Sequence, residues 1–335
     1  MSNTATREIV AAAARNGLVV PAFNIPYLPM MEPVVDALRE NRAFGLIQVA
    51  RLEWMKFKAG SLKAIRDTYE ACKDERFTRL HLDHVPVIDE DHQSVDVAAI
   101  IKEAITLGYE SVMVDGSRLP LDENIAATAE VVRQAHAAGI PCEAELGAVL
   151  GHEAGPLPPY EELFRSGRGF TDPAEAQRFV AETDVDWLSV AVGNIHGAIS
   201  GAAKSAKKVE ARLNIEHLDR IRAAVGDVPL VLHGGSGIAK ASILDGVRHG
   251  IAKINIGTAV RQAYEAGAAV SPAEARRRTA AAVTAVIRDE LEIAGSADRL
   301  LCEALTISSR FSCAPRPPCG QLPASACDLA TRGGV

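Results

Sequence analysis

The stretch PLVLHGGSGIAKASILDGVRHGIAKINIGTAVR, Pro229–Arg261, contains one complete folding unit and the start of the next. Pro229–His233 is a short β-branched run. A glycine-rich turn follows, then Lys240–Gly250 with helical spacing, then a second short apolar run, Ala252–Asn255. Gly250 sits where a left-handed residue commonly closes a helix. Strand, helix, strand with a crossover of this length is the repeat of a parallel sheet.

The same alternation extends through the chain. Further strands are expected at Leu18–Phe23, Gly45–Ala50, Arg79–Asp83, Ser111–Asp115, Pro141–Leu146 and Trp187–Val192. Helical patterns lie between them at Met30–Asn41, Leu62–Lys73, Val95–Leu107, Asn124–Ala138, Ala174–Glu182 and Ile215–Val225. Gly108, Gly139 and Gly226 close three of these as Gly250 closes its own. Eight βα units predict a single-domain α/β fold, a (β/α)8 TIM barrel with extra C-terminal helices. An open doubly wound sheet has the same element order. The polar residues favour the barrel, because Asn24, Asp83, His84, Asp115, Glu145, Asn194, His196, His233 and Asn255 fall at strand ends all round the proposed ring. An open sheet would gather them at one switch point.

The chain has 335 residues, 48% of them hydrophobic and 24% charged, the mix of an ordinary folded enzyme. One barrel, residues 1–307, accounts for most of this length. Ser308–Val335 differs: it holds four prolines and three of the six cysteines with no helical or strand period, and is expected to be a disordered tail. The net charge of −7 excludes a broad basic face for nucleic acid, so an anionic ligand needs a local pocket. No apolar run is long enough to span a membrane. The cysteines lack CxxC spacing and no secretory signal precedes them, which places the chain in a reducing, cytoplasmic setting.

HLDHVP, His81–Pro86, ends one strand with two histidines and an aspartate. A strand-end histidine is more often structural than a ligand. GNIHGA, Gly193–Ala198, and VLHGGSG, Val231–Gly237, each add another, so three strand ends present an imidazole and a three-histidine Zn²⁺ site becomes the favoured reading. His84, His196 and His233 are the expected ligands. His81, two residues before Asp83, would point back into the barrel. Asp115 is expected to support a ligand histidine, and Glu145 either faces the metal or does the same.

Gly234, Gly235, Ser236 and Gly237 form a turn whose amides can converge on an anion just before a helix. Glycine clusters are usually plain turns, but this one follows the seventh strand, where barrels frequently hold phosphate. Asn255 and Thr258, in KINIGTAVR, can complete the same pocket. EAELGAVLGHEAGP, Glu143–Pro156, continues into a glycine-punctuated loop carrying Glu153, which is either a base brought over the substrate or a solvated carboxylate. Lys253, beside Asn255, reads as a barrel-end charge.

AFN (Ala22–Asn24), HLDH, SVMVDGS, EAELG, the His196–Gly197 pair, LVLHGGSGI and KINIGT, in this order, resemble the class II metal-dependent ketose-bisphosphate aldolases, from about Val19 to about Arg261. The resemblance implies a zinc held by His84, His196 and His233, with Asp83 exchanging the C4 hydroxyl proton and Glu153 handling the proton at the enediolate carbon. It implies that Asn24, Gly197, Gly234, Gly235, Ser236, Asn255 and Thr258 hold the substrate and its phosphate. A monovalent cation, Na⁺ or K⁺, at backbone carbonyls near Gly197 and His233 also follows, as does a homodimer or homotetramer. The implied reaction cleaves a phosphorylated ketose, foremost fructose 1,6-bisphosphate in glycolysis and gluconeogenesis, to dihydroxyacetone phosphate and glyceraldehyde 3-phosphate. Such a cleavage needs an electron sink, which a Lewis-acid metal supplies without a lysine Schiff base.

Three departures bear on the substrate. Ala50 stands where many relatives have a phosphate-binding serine, and Arg51 beside it either binds an anionic group or is a surface charge. Ser200 replaces a lysine, and Gly257 an acidic residue. Tagatose 1,6-bisphosphate, another anionic ketose phosphate, and a sugar-phosphate-binding barrel without turnover are the alternative readings.

Overall fold

The structure is a computed structural model that describes residues 5–147, 159–194, 211–235 and 237–311. Its eight strands are β1 (Val20–Asn24), β2 (Gly45–Ala50), β3 (Thr78–Pro86), β4 (Ser111–Asp115), β5 (Cys142–Leu146), β6 (Trp187–Val190), β7 (Leu230–Leu232) and β8 (Ile251–Ile256). All pair in parallel and in sequence order, and β8 returns to β1, so the sheet closes into a barrel. The expected architecture is the observed one, and the strand bounds agree to within a few residues.

The helices are α1 (Thr6–Asn16), α2 (Met31–Glu40), α3 (Arg51–Lys56), α4 (Leu62–Cys72), α5 (Val97–Leu107), α6 (Leu121–Ala137), α7 (Tyr160–Ser166), α8 (Pro173–Thr183), α9 (Ile215–Val225), α10 (Lys240–Arg248), α11 (Thr258–Ala268), α12 (Pro272–Ala285) and α13 (Ala297–Phe311). Local chemistry sets several of the starts. Ser61, Asp96, Asn214 and Ser271 each accept an amide N–H of the first turn of their helix, a cap generally worth about 1 kcal/mol. α8 and α12 also begin with proline, whose missing N–H costs nothing there. α1 covers the amino ends of the strands: Thr6 Oγ1 donates to the Glu110 carbonyl and Arg7 pairs with Asp186. α13 lies against α1 and runs past Ser308, where the composition changes; residues 312–335 are outside the described part. No described helix is long and apolar enough to cross a membrane.

Register positions the site. Gln48 pairs with His81, Ala50 with Asp83, Ala22 with Asn255 and Glu145 with Ser189, and residues paired in this way face the same side of the sheet. Between Leu82 and Val85 the β3–β4 register shifts, and His84 there has φ +30°. Such a bulge re-aims side chains, and a non-glycine residue in this region is strained. It lets two consecutive residues, Asp83 and His84, serve one pocket where a regular strand would send them to opposite faces.

Candidate active site

Asp83 is the centre of the barrel mouth. Its Oδ2 accepts Asn24 Nδ2 from β1 at 2.9 Å and Gln48 Nε2 from β2 at 3.1 Å, and its Oδ1 accepts Asn255 Nδ2 from β8 at 3.0 Å. Gln48 Nε2 also donates to Asn24 Oδ1 at 2.8 Å, which ties the amides together. Burial alone would favour the neutral acid. The positive charges of His84 and Lys253 outweigh it and hold the carboxyl well below the usual range, so Asp83 is ionised at neutral pH.

Beside it, His84 Nδ1 donates to Asp115 Oδ2 at 3.1 Å, and Asp115 Oδ1 is itself bound by Ser117 Oγ at 2.6 Å. The His84 and His233 rings lie 4.5 Å apart. His233 is flanked by two carboxylates: Nδ1 lies 2.8 Å from Glu145 Oε2 and Nε2 lies 2.9 Å from Glu143 Oε1. Burial opposes a charge on His84, but Asp83 and Asp115 raise its pKa to about 10. Four carboxylates thus surround two imidazoles, and the pocket favours positive charge.

These donors fit a metal ion. Asp83, His84 and His233 each present a ligand atom within 4.8 Å of the others, as do His84, Asp115 and Glu145. Each described imidazole is also backed by a carboxylate, the arrangement that orients metal-bound histidines. His196, the third expected ligand, lies outside the described residues, together with Gly197, Glu153 and Ser236.

The glycine turn follows β7 directly. Gly234 has φ +68°, a conformation that favours glycine, and a Cβ at Gly235 would meet Ile254 Cδ1 at 2.8 Å where the loop passes β8. Asn194 Nδ2 donates to the His233 carbonyl at 3.0 Å, which ties the end of β6 to that of β7. Thr258 opens α11, which follows β8. Arg51 opens α3, where its guanidinium lies 3.4 Å from Asp89 Oδ2 and is about one-fifth exposed.

One expectation is corrected. Lys253 is not a barrel-end charge but is fully buried inside the barrel, its Nζ 2.9 Å from Glu143 Oε2 and 2.7 Å from Asn255 Oδ1. His81 does point inward: Nδ1 meets Ser111 Oγ at 2.8 Å, and Nε2 lies 3.6 Å from Glu143. His136, His217 and His249 are held elsewhere by Asp186, the Thr171 carbonyl and Asp219.

Three residues of the site are unread in the sequence and a fourth is misplaced. Gln48 and Glu143 occupy alternating inward positions of LIQVA and CEAEL, a signal that was available. Lys253 was noticed and misplaced. Glu53, in the first turn of α3, is buried against the Ala50 amide at 2.8 Å and Asn24 at 3.4 Å, and nothing in RLEWMK marks it.

A closed parallel barrel with imidazoles, carboxylates and a glycine turn at its strand ends defines a metal-dependent barrel enzyme. Comparison with known proteins gives the family. Residues 4–299 match the family described as fructose-bisphosphate aldolase class-II. A fructose-bisphosphate aldolase of Streptococcus pyogenes is 34% identical over 267 residues, covering 79% of this chain and 82% of that protein. The crystal structure of the YdjI aldolase from Escherichia coli K12 superposes with TM-score 0.69 at 29% identity, over 87% of this chain and 98% of that one. A putative fructose-1,6-biphosphate aldolase from Coccidioides immitis gives TM-score 0.69 at 26% identity, over 89% and 99%. The chain belongs to the class II fructose-bisphosphate aldolase family. It is an aldolase, a carbon–carbon lyase of a metal-dependent class that acts on small sugar phosphates.

Proposed function

We propose that this enzyme reversibly cleaves a phosphorylated ketose to dihydroxyacetone phosphate and an aldehyde, with fructose 1,6-bisphosphate as the leading substrate and zinc as the metal. The observation that carries the reading is the meeting of the ionised Asp83 with His84 and His233 in one pocket. His84, His196 and His233 would hold the ion, with Asp115 and Glu145 orienting two of them. When bound, zinc supplies Lewis-acid withdrawal of charge from the ketone oxygen.

The rest falls to the chain. Asp83, held by three amides and ionised, accepts the C4 hydroxyl proton as the C3–C4 bond breaks, and returns it in the reverse direction. Glu153 would handle the proton at the carbon left behind. Asn24 and Asn255 fix Asp83 and line the way to the substrate, while Gly197, Gly234, Gly235, Ser236 and Thr258 hold the phosphate. A Na⁺ or K⁺ ion near Gly197 and His233, a homodimer or homotetramer and a cytoplasmic location complete the proposal.

A second substrate reading rests on Arg51, whose guanidinium is partly exposed and 3.4 Å from Asp89. It would suit a different anionic group at the far end of the ketose, including that of tagatose 1,6-bisphosphate. A panel of ketose phosphates ranked by kcat/KM, with and without chelator, tests both. Cleavage that chelator abolishes and zinc restores, and that persists through borohydride treatment with substrate, is the expected result. Covalent inactivation by borohydride would overturn the metal mechanism.

A further inference from the structure

Lys253 is two residues before Asn255 on β8, and its ammonium group lies wholly inside the barrel, beneath the mouth. Lysine can only donate hydrogen bonds. Its contact with Asn255 Oδ1 at 2.7 Å therefore fixes which way that amide points. With the oxygen facing Lys253, the Nδ2–H group must face Asp83 Oδ1, as it does at 3.0 Å. A flipped amide would set an oxygen against the carboxylate.

The second arm runs through Glu143. Lys253 Nζ is ion-paired with Glu143 Oε2 at 2.9 Å, and the other oxygen of Glu143 takes the Nε2–H of His233 at 2.9 Å. Glu143 thereby fixes the tilt of the ring from inside the barrel. On the opposite edge of the ring Nδ1 lies 2.8 Å from Glu145 Oε2, and His233 groups with Asp83 and His84 as residues that would hold a metal. Glu143 is thus a carboxylate that fixes the His233 ring, and Lys253 holds Glu143 in place through the ion pair.

The geometry points to Lys253 as a positioning residue that sets the base and a metal ligand at once, Asp83 through Asn255 and His233 through Glu143. The inference rests on the metal reading of His233 proposed above. It differs from a merely structural buried ion pair, which would hold β5 to β8 without controlling metal affinity or turnover.

The test uses the full-length protein and its Lys253→Met variant, with three measurements: unfolding midpoint after chelator treatment, zinc affinity by chelator competition, and kcat and KM for fructose 1,6-bisphosphate. Partners that orient metal ligands generally cost about 10- to 100-fold in metal affinity or activity when removed. The variant is expected to lose zinc affinity and kcat by about that factor, with KM changed much less. A folded variant whose zinc affinity and kcat stay within about threefold of the parent would overturn the inference. Removing Lys253 leaves a buried carboxylate unpaired, which can itself prevent folding. In that event Lys253→Met combined with Glu143→Gln, which removes both charges, decides: recovery of parental zinc affinity and kcat overturns the inference, and persistent loss of both supports it. Failure of the parent to bind zinc would instead overturn the metal reading, and this inference with it.

Discussion

Asn255 on β8 donates to Asp83 on β3 at 3.0 Å across the mouth of the barrel, joining strands that do not pair with each other. Asn24 and Gln48 approach the other carboxylate oxygen from the strands between. Asp83 therefore has its orientation set by three amides, and its charge by His84 and Lys253, before any substrate arrives, the preorganisation a base needs.

Replacing it separates chemistry from binding. Positioned proton transfer typically contributes about 10²- to 10⁴-fold in rate. Asp83→Ala is expected to lower kcat for fructose 1,6-bisphosphate by that range while zinc content per subunit is unchanged. If the variant keeps its zinc and more than about a tenth of parental kcat, Asp83 is not the base.

Glu53 gives a pH signature. Its carboxyl is buried near Asp83, and burial pushes its pKa up to about 8. The unfolded chain releases this proton near the ordinary value of 4.5. Between those pH values the folded state holds a proton that the unfolded state has lost, so this group's contribution is complete below about 4.5 and is lost as pH rises through about 8. Glu53→Gln keeps the neutral shape and removes the titration. In chelator-treated protein, urea unfolding at pH 5, 7 and 9 should show the variant gaining on the parent as pH rises; parallel pH curves for the two would refute the assignment.

What the sequence made legible follows from period and position. Short β-branched runs alternating with helical spacing gave the barrel, and polar residues at strand ends gave Asp83, His84 and His233. The bulge that turns His84 was hidden, because the positive φ it needs is ordinarily marked by glycine and here falls on histidine. Lys253 was misread because KINI shows which residues share a face but not that closure removes that face from water. α3 escaped because six residues are too short for an amphipathic stripe, and its N-cap is Ala50, which offers no side-chain acceptor. Glu53 supplies the missing contact by reaching back to the Ala50 amide, a capping interaction formed by one side chain alone.

Gly235→Ala tests the phosphate turn. The added methyl would sit 2.8 Å from Ile254 Cδ1 and 3.3 Å from the Asn255 carbonyl, so either the Ile254 side chain or the loop has to shift. Overpacking of this kind costs about 1–3 kcal/mol. The variant is expected to unfold at lower urea and to show a raised KM for phosphorylated ketoses. An unchanged KM despite lost stability would mean that the turn does not hold the phosphate.

Replacing Arg51 tests what holds the far end of the substrate. It begins α3 directly after β2, at the mouth, and its hold on Asp89 is loose at 3.4 Å. A guanidinium bound tightly to a neighbour would be unavailable; this one can exchange a weak ion pair for a phosphate. Hydrogen bonds to charged groups contribute about 1.5–3 kcal/mol, roughly 10- to 100-fold in binding. Arg51→Met should therefore raise KM for fructose 1,6-bisphosphate by about that factor and leave fructose 1-phosphate, which lacks the distal anion, nearly unchanged. Arg51→Lys should recover only part of the difference, since a single ammonium cannot reproduce a two-pronged contact. Equal effects on both sugars would assign Arg51 to the fold of α3, through Asp89, and would leave the distal group to be held elsewhere.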